Sequence, residues 1–183
     1  MTHHGEIVQR IWDQLSPLEV IKQPLTDCVG LILAEDRYAT FDLPRVPCSG
    51  VDGYAFKSAD TVSASREQPV TLAVIESIRA GVLPRKEVVS GTAARIMTGA
   101  MVPKGADCVV RFEDTEDPGN QYGVSPERPG SVGFVGAAEP WDNIRRPGSF
   151  SKKGALIVPK GVVIGPAQLA ALTAHGITVL KVV

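Results

Sequence analysis

From about Val46 to Glu139 the sequence is cut into short β-branched or alternating runs by turn-rich pieces, and that punctuation confines the stretch to short strands. The runs are Val70-Thr71-Leu72-Ala73-Val74-Ile75, Ala94-Arg95-Ile96-Met97 and Cys108-Val109-Val110-Arg111-Phe112. Between them lie pieces such as Ala80-Gly81-Val82-Leu83-Pro84 and Val102-Pro103-Lys104-Gly105-Ala106-Asp107. The pattern predicts a compact, mostly antiparallel β domain. Ser125 to Gly133, rich in proline and glycine, reads as a long loop.

The flanks read differently. Ile7, Ile11 and Leu15 recur every four residues beside Val8 and Trp12, which predicts a helix from Glu6 to Leu15, stopped by Ser16-Pro17. A shorter helix is expected next, capped by Thr26 or Asp27, with Val29, Ile32 and Leu33 facing inward. Phe41-Asp42-Leu43-Pro44-Arg45-Val46-Pro47 is a connector, since each proline pushes the residue before it into extended geometry. Beyond Trp141, Ala155-Leu156-Ile157-Val158 and Val162-Val163-Ile164 flank Pro159-Lys160-Gly161, a pattern for a hairpin. Gly165-Pro166 opens a helix that ends at His175-Gly176, with proline where a missing N–H costs nothing. Ile177 to Val183 is a last strand. It leaves the chain ending on apolar residues, which reads as a cut. The fold class expected is α+β.

Nineteen Lys and Arg against 20 Asp and Glu give a net charge of −1, so no broad basic field exists to hold a nucleic acid or an acidic membrane surface. Any anion must be held locally. Neither nucleic acid nor membrane is expected as a partner. The N-terminus lacks a basic segment followed by an apolar run, and the apolar C-terminal region is broken by Lys160, Pro166 and Lys181. Cys28, Cys48 and Cys108 are odd in number and far apart, with no C-x-x-C pair, so reduced thiols in a cytoplasmic protein are expected.

The most informative candidate site is Pro47-Cys48-Ser49-Gly50-Val51-Asp52-Gly53-Tyr54-Ala55. Small residues surround one carboxylate, Asp52, and let another molecule approach the backbone, while Gly53 frees the chain to turn. Taken alone, Asp-Gly is also an ordinary tight turn. A second cluster, Arg95-Ile96-Met97-Thr98-Gly99-Ala100, ends a strand in a Thr-Gly turn whose hydroxyl and N–H groups suit an anion, or simply a β-turn. Gly99 to Gly105 is not a phosphate loop, because Lys104 precedes the second glycine instead of following it. Arg145 and Arg146, before Pro147-Gly148, suit an oxyanion or a surface ion pair. The acids from Glu113 to Asp117 lack calcium-loop spacing and read as a solvated loop. His175 reads as a helix cap, and His3 and His4 lack a third ligand.

Together and in this order, the pieces resemble the molybdopterin molybdenumtransferase family (bacterial MoeA and the E domain of gephyrin). The resemblance is carried by Asp42-Leu43-Pro44, the Ser49–Ala55 stretch, the Arg95–Ala100 stretch, Val102-Pro103, Gly105-Ala106-Asp107, Val109-Val110, Glu113-Asp114-Thr115 and Asn143-Ile144-Arg145-Arg146, and covers essentially the whole chain. It implies an elongated α/β domain of residues 1–44 and 141–183 that makes homodimer contacts, with a β domain of residues 45–140 inserted. It also implies insertion of molybdate into adenylylated molybdopterin with Mg²⁺, releasing AMP. Asp52 takes the catalytic position and is the best metal candidate. Ser49, Thr98, Gly99, Arg145 and Arg146 fall to substrate binding.

Two departures accompany the resemblance. After the arginines the family continues with a third basic residue and Gly-Glu-Asp, where this chain has Pro147-Gly148-Ser149-Phe150, so two cleft carboxylates are missing. Before Asp52 stands Pro47-Cys48 in place of Asp-Asn. The family's pterin-binding domain, with its Thr-Gly-Asp-Glu signature, is absent, so the chain alone is expected to be inactive. The competing reading is a non-enzymatic dimeric binding module derived from that family.

Overall fold

The computed structural model describes residues 3–116 and 130–183. It is an α+β protein that divides into two compact units, Met1–Thr40 with Lys153–Val183, and Phe41–Lys152. In chain order the helices are α1 (His4–Trp12) and α2 (Pro166–Ala174). The strands are β1 (Ile21–Pro24), β2 (Arg37–Tyr38), β3 (Cys48–Ser49), β4 (Gly53–Phe56), β5 (Val70–Ile78), β6 (Thr92–Ile96), β7 (Cys108–Arg111), β8 (Thr115–Glu116), β9 (Ser131–Phe134), β10 (Ile144–Arg145), β11 (Leu156–Val158) and β12 (Val179–Val182). None of the described helices is long and apolar enough to cross a membrane.

The second unit is built on one six-stranded sheet in the order β7-β4-β6-β5-β9-β8, antiparallel except for the β5–β6 pair. Thr115-Glu116, read in sequence as part of a solvated loop, forms β8, while β5, β6 and β7 coincide with the β-branched runs of the sequence. β4 does not. All four of its residues are buried between β6 and β7, although Gly53 reads in sequence as a turn. A Cβ at position 53 would collide with the Val110 carbonyl oxygen of β7, so the close approach that glycine permits is made by the chain's own backbone. Ser131–Phe134 is likewise a strand and not the end of a long loop, because Val132 and Phe134 are buried against β5. Residues 125–129 and Asp117 lie outside the described residues.

The alternation along the sheet sorts its core into two clusters. Tyr54, Phe56, Leu72 and Phe134 pack in one, Ala55, Ile78, Ile96 and Val109 in the other. Residues 41–44 and 141–152, which the family resemblance assigns to the flanking domain, lie in this unit. Leu43 and Ser151 bridge, with Leu43 N–H donating to the Ser151 carbonyl at 2.8 Å, and β10 pairs with β3.

In the first unit, β1 pairs with β12 and β2 with β11 around a cluster containing Leu25, Leu33, Ile164, Leu172 and Leu180. Two expectations are corrected here. Residues 25–27 make a single 3-10 turn with no α-helix after it. Gly30 is left-handed (φ 84°), Ile32 bridges Val163, and Leu33 bridges Val182, so this segment is extended and Val29 faces solvent. The runs 155–158 and 162–164 do not pair with each other as a hairpin. Each instead takes a partner from residues 30–39, with Leu33 N–H donating to the Val162 carbonyl and Ile164 N–H to that of Leu31, both at 2.9 Å. Helix α2 starts at Pro166 and stops at Gly176 (φ 68°), as its end signals predict. His175, at its C-terminus, is buried.

Candidate functional site

The β4–β6 register explains why two motifs 46 positions apart meet. Gly53 pairs with Ile96 on antiparallel strands, so the residue just before β4 lies beside the residues just after β6. There Asp52 Oδ1 accepts two hydrogen bonds from Thr98, one from its N–H at 2.6 Å and one from its hydroxyl at 2.8 Å. Both side chains remain exposed. Charge-assisted bonds of this kind hold a carboxylate on the order of 1 kcal/mol each at an open site. Among the described residues no partner engages Oδ2. Asp52 is therefore fixed by one oxygen and presents the other.

Strand β3 brings in the next pieces. Ser49 N–H donates to the Ala100 carbonyl and Gly99 N–H to the Ser49 carbonyl, each at 2.9 Å, lacing the Thr98–Gly99 turn to the Ser49 segment. Gly99 is left-handed (φ 80°), as the turn requires. The backbone N–H groups of Thr98, Gly99 and Ala100 are thus all used internally, the last by the Met97 carbonyl. The turn serves to hold Asp52 and does not open a nest of free N–H groups. Ser49 is buried, and its hydroxyl donates to the Val51 carbonyl at 2.5 Å, shaping the loop from within.

On the other side of β3 runs β10, pairing Ile144 with Ser49 and Arg145 with Cys48. Arg145 Nε lies 3.8 Å from where a Gly50 Cβ would stand, two positions from Asp52 in sequence. Its guanidinium rests 5.4 Å from the centre of the Phe150 ring. Phe150 thus gives the cation a flat support. Arg146 stacks instead on Trp141, at 4.5 Å. The structure brings Asp52, Thr98, Gly99, Ser49 and Arg145 to one locus and gives Arg146 a different ring from Arg145.

Sequence reasoning missed what aims β10. Trp141 (φ 74°) and Asn143 (φ 52°) both sit in left-handed geometry. Asn143 Nδ2 donates to the Val109 carbonyl at 2.8 Å while its own carbonyl accepts Gly50 N–H at 2.7 Å. Asparagine tolerates this geometry better than most side chains, the one signal that pointed here. Asp107, part of the Gly-Ala-Asp motif, is a brace: its carboxylate accepts Ser58 N–H at 2.7 Å and the Ser58 hydroxyl at 3.0 Å. Cys48 is not an activated thiol, because burial raises its pKa against the lowering influence of Arg145.

The described residues contain no cluster of three or more His, Cys, Asp or Glu able to enclose a metal ion. Mg²⁺ does not demand one, since it commonly keeps its waters and takes one or two carboxylates plus substrate phosphate oxygens. Asp52 Oδ2 fits that part.

An exposed carboxylate fixed by a Thr-Gly turn, on a β unit inserted in a discontinuous α+β chain, defines a class of inserted-β-domain proteins with a loop-borne acidic site. Within that class, residues 3–176 match the family model described as the MoeA N-terminal region, domains I and II. The chain belongs to that family. Similar proteins include the molybdopterin molybdenumtransferases of Staphylococcus aureus strain Mu50, 37% identical over 178 residues, and of Staphylococcus epidermidis strain ATCC 12228, 34% identical over 177. Each alignment covers 97% of this chain and 40% of the relative, so the chain spans about two-fifths of the length of these curated relatives. A crystal structure of a molybdopterin biosynthesis MoeA protein from Pyrococcus horikoshii OT3 superposes with a TM-score of 0.85 at 32% identity, over 97% of this chain and 45% of that one.

Proposed function

We propose that this chain is the N-terminal, two-domain part of a cytoplasmic molybdenumtransferase that inserts molybdate into adenylylated molybdopterin. The observation that carries the reading is Asp52, exposed and clamped through one oxygen by Thr98, with Arg145 on the neighbouring ladder. In this role Asp52 holds Mg²⁺ or orients the hydrated oxyanion through Oδ2. Thr98 fixes that carboxylate, and Arg145, with no ion pair among the described residues, offers a guanidinium to molybdate or phosphate oxygens. Mg²⁺ supplies charge neutralisation at the oxyanion when bound.

The protein acts as a homodimer. Ile7, Ile11 and Trp12 of α1 are 46, 55 and 65% exposed, an apolar face that a second copy would cover. The three free cysteines suit a reducing cytoplasm.

Because the chain spans about two-fifths of the length of its curated relatives, the test supplies the remaining part of a curated relative in trans, together with adenylylated molybdopterin, molybdate and Mg²⁺, and follows AMP release. We expect turnover only in the mixture, reduced at least about 100-fold by Asp52→Ala. Undiminished turnover by the variant overturns the assignment of Asp52. The second reading, a non-enzymatic binding module, is favoured by one observation, the exposed Phe150 under Arg145 where the family carries charge. A dimer that never supports AMP release in the mixture selects it.

A further inference from the structure

One row of the six-stranded sheet carries polar side chains onto an otherwise apolar face. Tyr54 of β4 stands opposite Arg95 of β6, and Arg95 stands opposite Ser77 of β5. The β5–β6 register shifts between Val74 and Glu76, which resets the alternation and turns Ser77 to the same side as Val74. Tyr54, Val74, Met97 and Phe112 all belong to the aromatic cluster on that side. The Arg95 guanidinium lies 4.5 Å from the centre of the Phe112 ring. Arg95 Nε and Ser77 Oγ are both buried, and neither has a hydrogen-bond partner. Arg95 also makes no ion pair among the described residues. Unpaired buried polar atoms are uncommon, and two on facing residues call for one shared reason.

The chemistry of the two atoms selects the guest. Arg95 Nε can only donate, and the Ser77 hydroxyl is free to donate as well, so a guest between them must accept twice. A water could do that, but its own two hydrogens would then face an apolar cluster. A halide accepts from both groups and donates nothing. It also offsets a guanidinium charge that has no carboxylate beside it. We infer that Arg95 and Ser77 hold one small monovalent anion of the chloride class, with Phe112 supporting the guanidinium. The site is separate from the molybdate chemistry proposed above and does not depend on it. An anion here would tie β5 to β6 just ahead of the Thr98 turn that clamps Asp52.

Crystals of the full chain, grown with bromide as the only halide at about 0.1 M, an ordinary ionic strength, and measured at the bromine absorption edge, test the inference. An anomalous peak is expected within hydrogen-bond reach of both Arg95 Nε and Ser77 Oγ. Density there without anomalous signal means water and overturns the site, as does a peak that needs molar bromide. Ser77→Ala removes one donor and leaves the cation in place. It should raise the bromide concentration that half-fills the site at least about tenfold. Arg95→Gln should empty the site, and Ser77→Ala carries the test if Arg95→Gln does not fold by circular dichroism. Bromide filling either folded variant as readily as the unaltered chain overturns the inference.

Discussion

In the second unit one sheet carries two apolar clusters on alternate residues of its strands, whereas the first unit wraps a single cluster in two-stranded ladders whose partners come from opposite ends of the chain. β4 shows the first arrangement in four residues: Tyr54 and Phe56 feed one cluster and Ala55 the other. β1 shows the second, pairing Ile21 with Val182 and Pro24 with Val179. A sheet of this kind gives each of its four inner strands two neighbours and shares out its burial. A two-stranded ladder offers one neighbour, so more of its stability must come from side chains packed beneath it.

The largest effect should come from the ring cluster of the second unit. Phe134 is 1% exposed, with its ring centre 4.2 Å from that of Phe56 and 6.3 Å from that of Tyr54. Phe134→Ala is expected to lower unfolding free energy by about 3–5 kcal/mol in urea titration. A loss below about 1 kcal/mol would mean that β9 is not part of the core. Leu172→Ala probes the other side of the comparison. Leu172 is fully buried in the first unit's cluster. About 3 kcal/mol should be lost, read as faster amide exchange in β1 and β12. If exchange there is unchanged, the ladder stands without the cluster and the contrast between the units fails.

The same contrast explains what the sequence made legible. Runs such as Val70–Ile75 and Cys108–Phe112 announce strands because their β-branched residues pack where they stand. Helix α2 announces itself through Pro166 and Gly176. The segment 25–33 misleads because its spacing fits a helix, while its partners, Val163 and Val182, are over a hundred residues away. Of the site, the residue types were legible and the geometry was not. Nothing local to Asp52 says that Thr98 will hold it, because the β4–β6 register makes that contact. The roles of Asn143 and Asp107 are fixed by distant carbonyls and hydroxyls in the same way.

A smaller effect concerns Glu35, which tethers residues 33–38 to β12. Its carboxylate accepts Lys181 Nζ at 2.9 Å and Arg37 Nη1 at 2.8 Å. The Lys181 hydrogen bond is the largest influence and, with the Lys181 charge and the Arg37 hydrogen bond and charge, holds its pKa below the ordinary value, against an opposing effect of burial second only to the Lys181 bond. A folded pKa below the unfolded one, near about 4.3, means the added stability is present above that pH and vanishes as pH falls through the folded value. Glu35→Gln should therefore cost about 0.5 kcal/mol at neutral pH and nothing once both forms are protonated. Salt should shrink the difference. A cost that persists at low pH would show that packing, and not charge, does the tethering.

The smallest effect belongs to α1, which has no buried residue at all. Ile11 is 55% exposed, and serine has nearly the helix propensity of isoleucine. In a dilute solution of single chains Ile11→Ser should shift the unfolding midpoint by less than about 0.5 kcal/mol, some tenfold less than Phe134→Ala. Raising the protein concentration separates two kinds of exposure. If a second copy covers this face, the unaltered chain gains stability with concentration and the variant does not, because only the folded dimer is favoured by mass action. A midpoint independent of concentration in both would leave α1 a surface helix with an ordinary apolar side. A large loss in the dilute variant would place α1 in the first unit's core and erase its difference from the sheet.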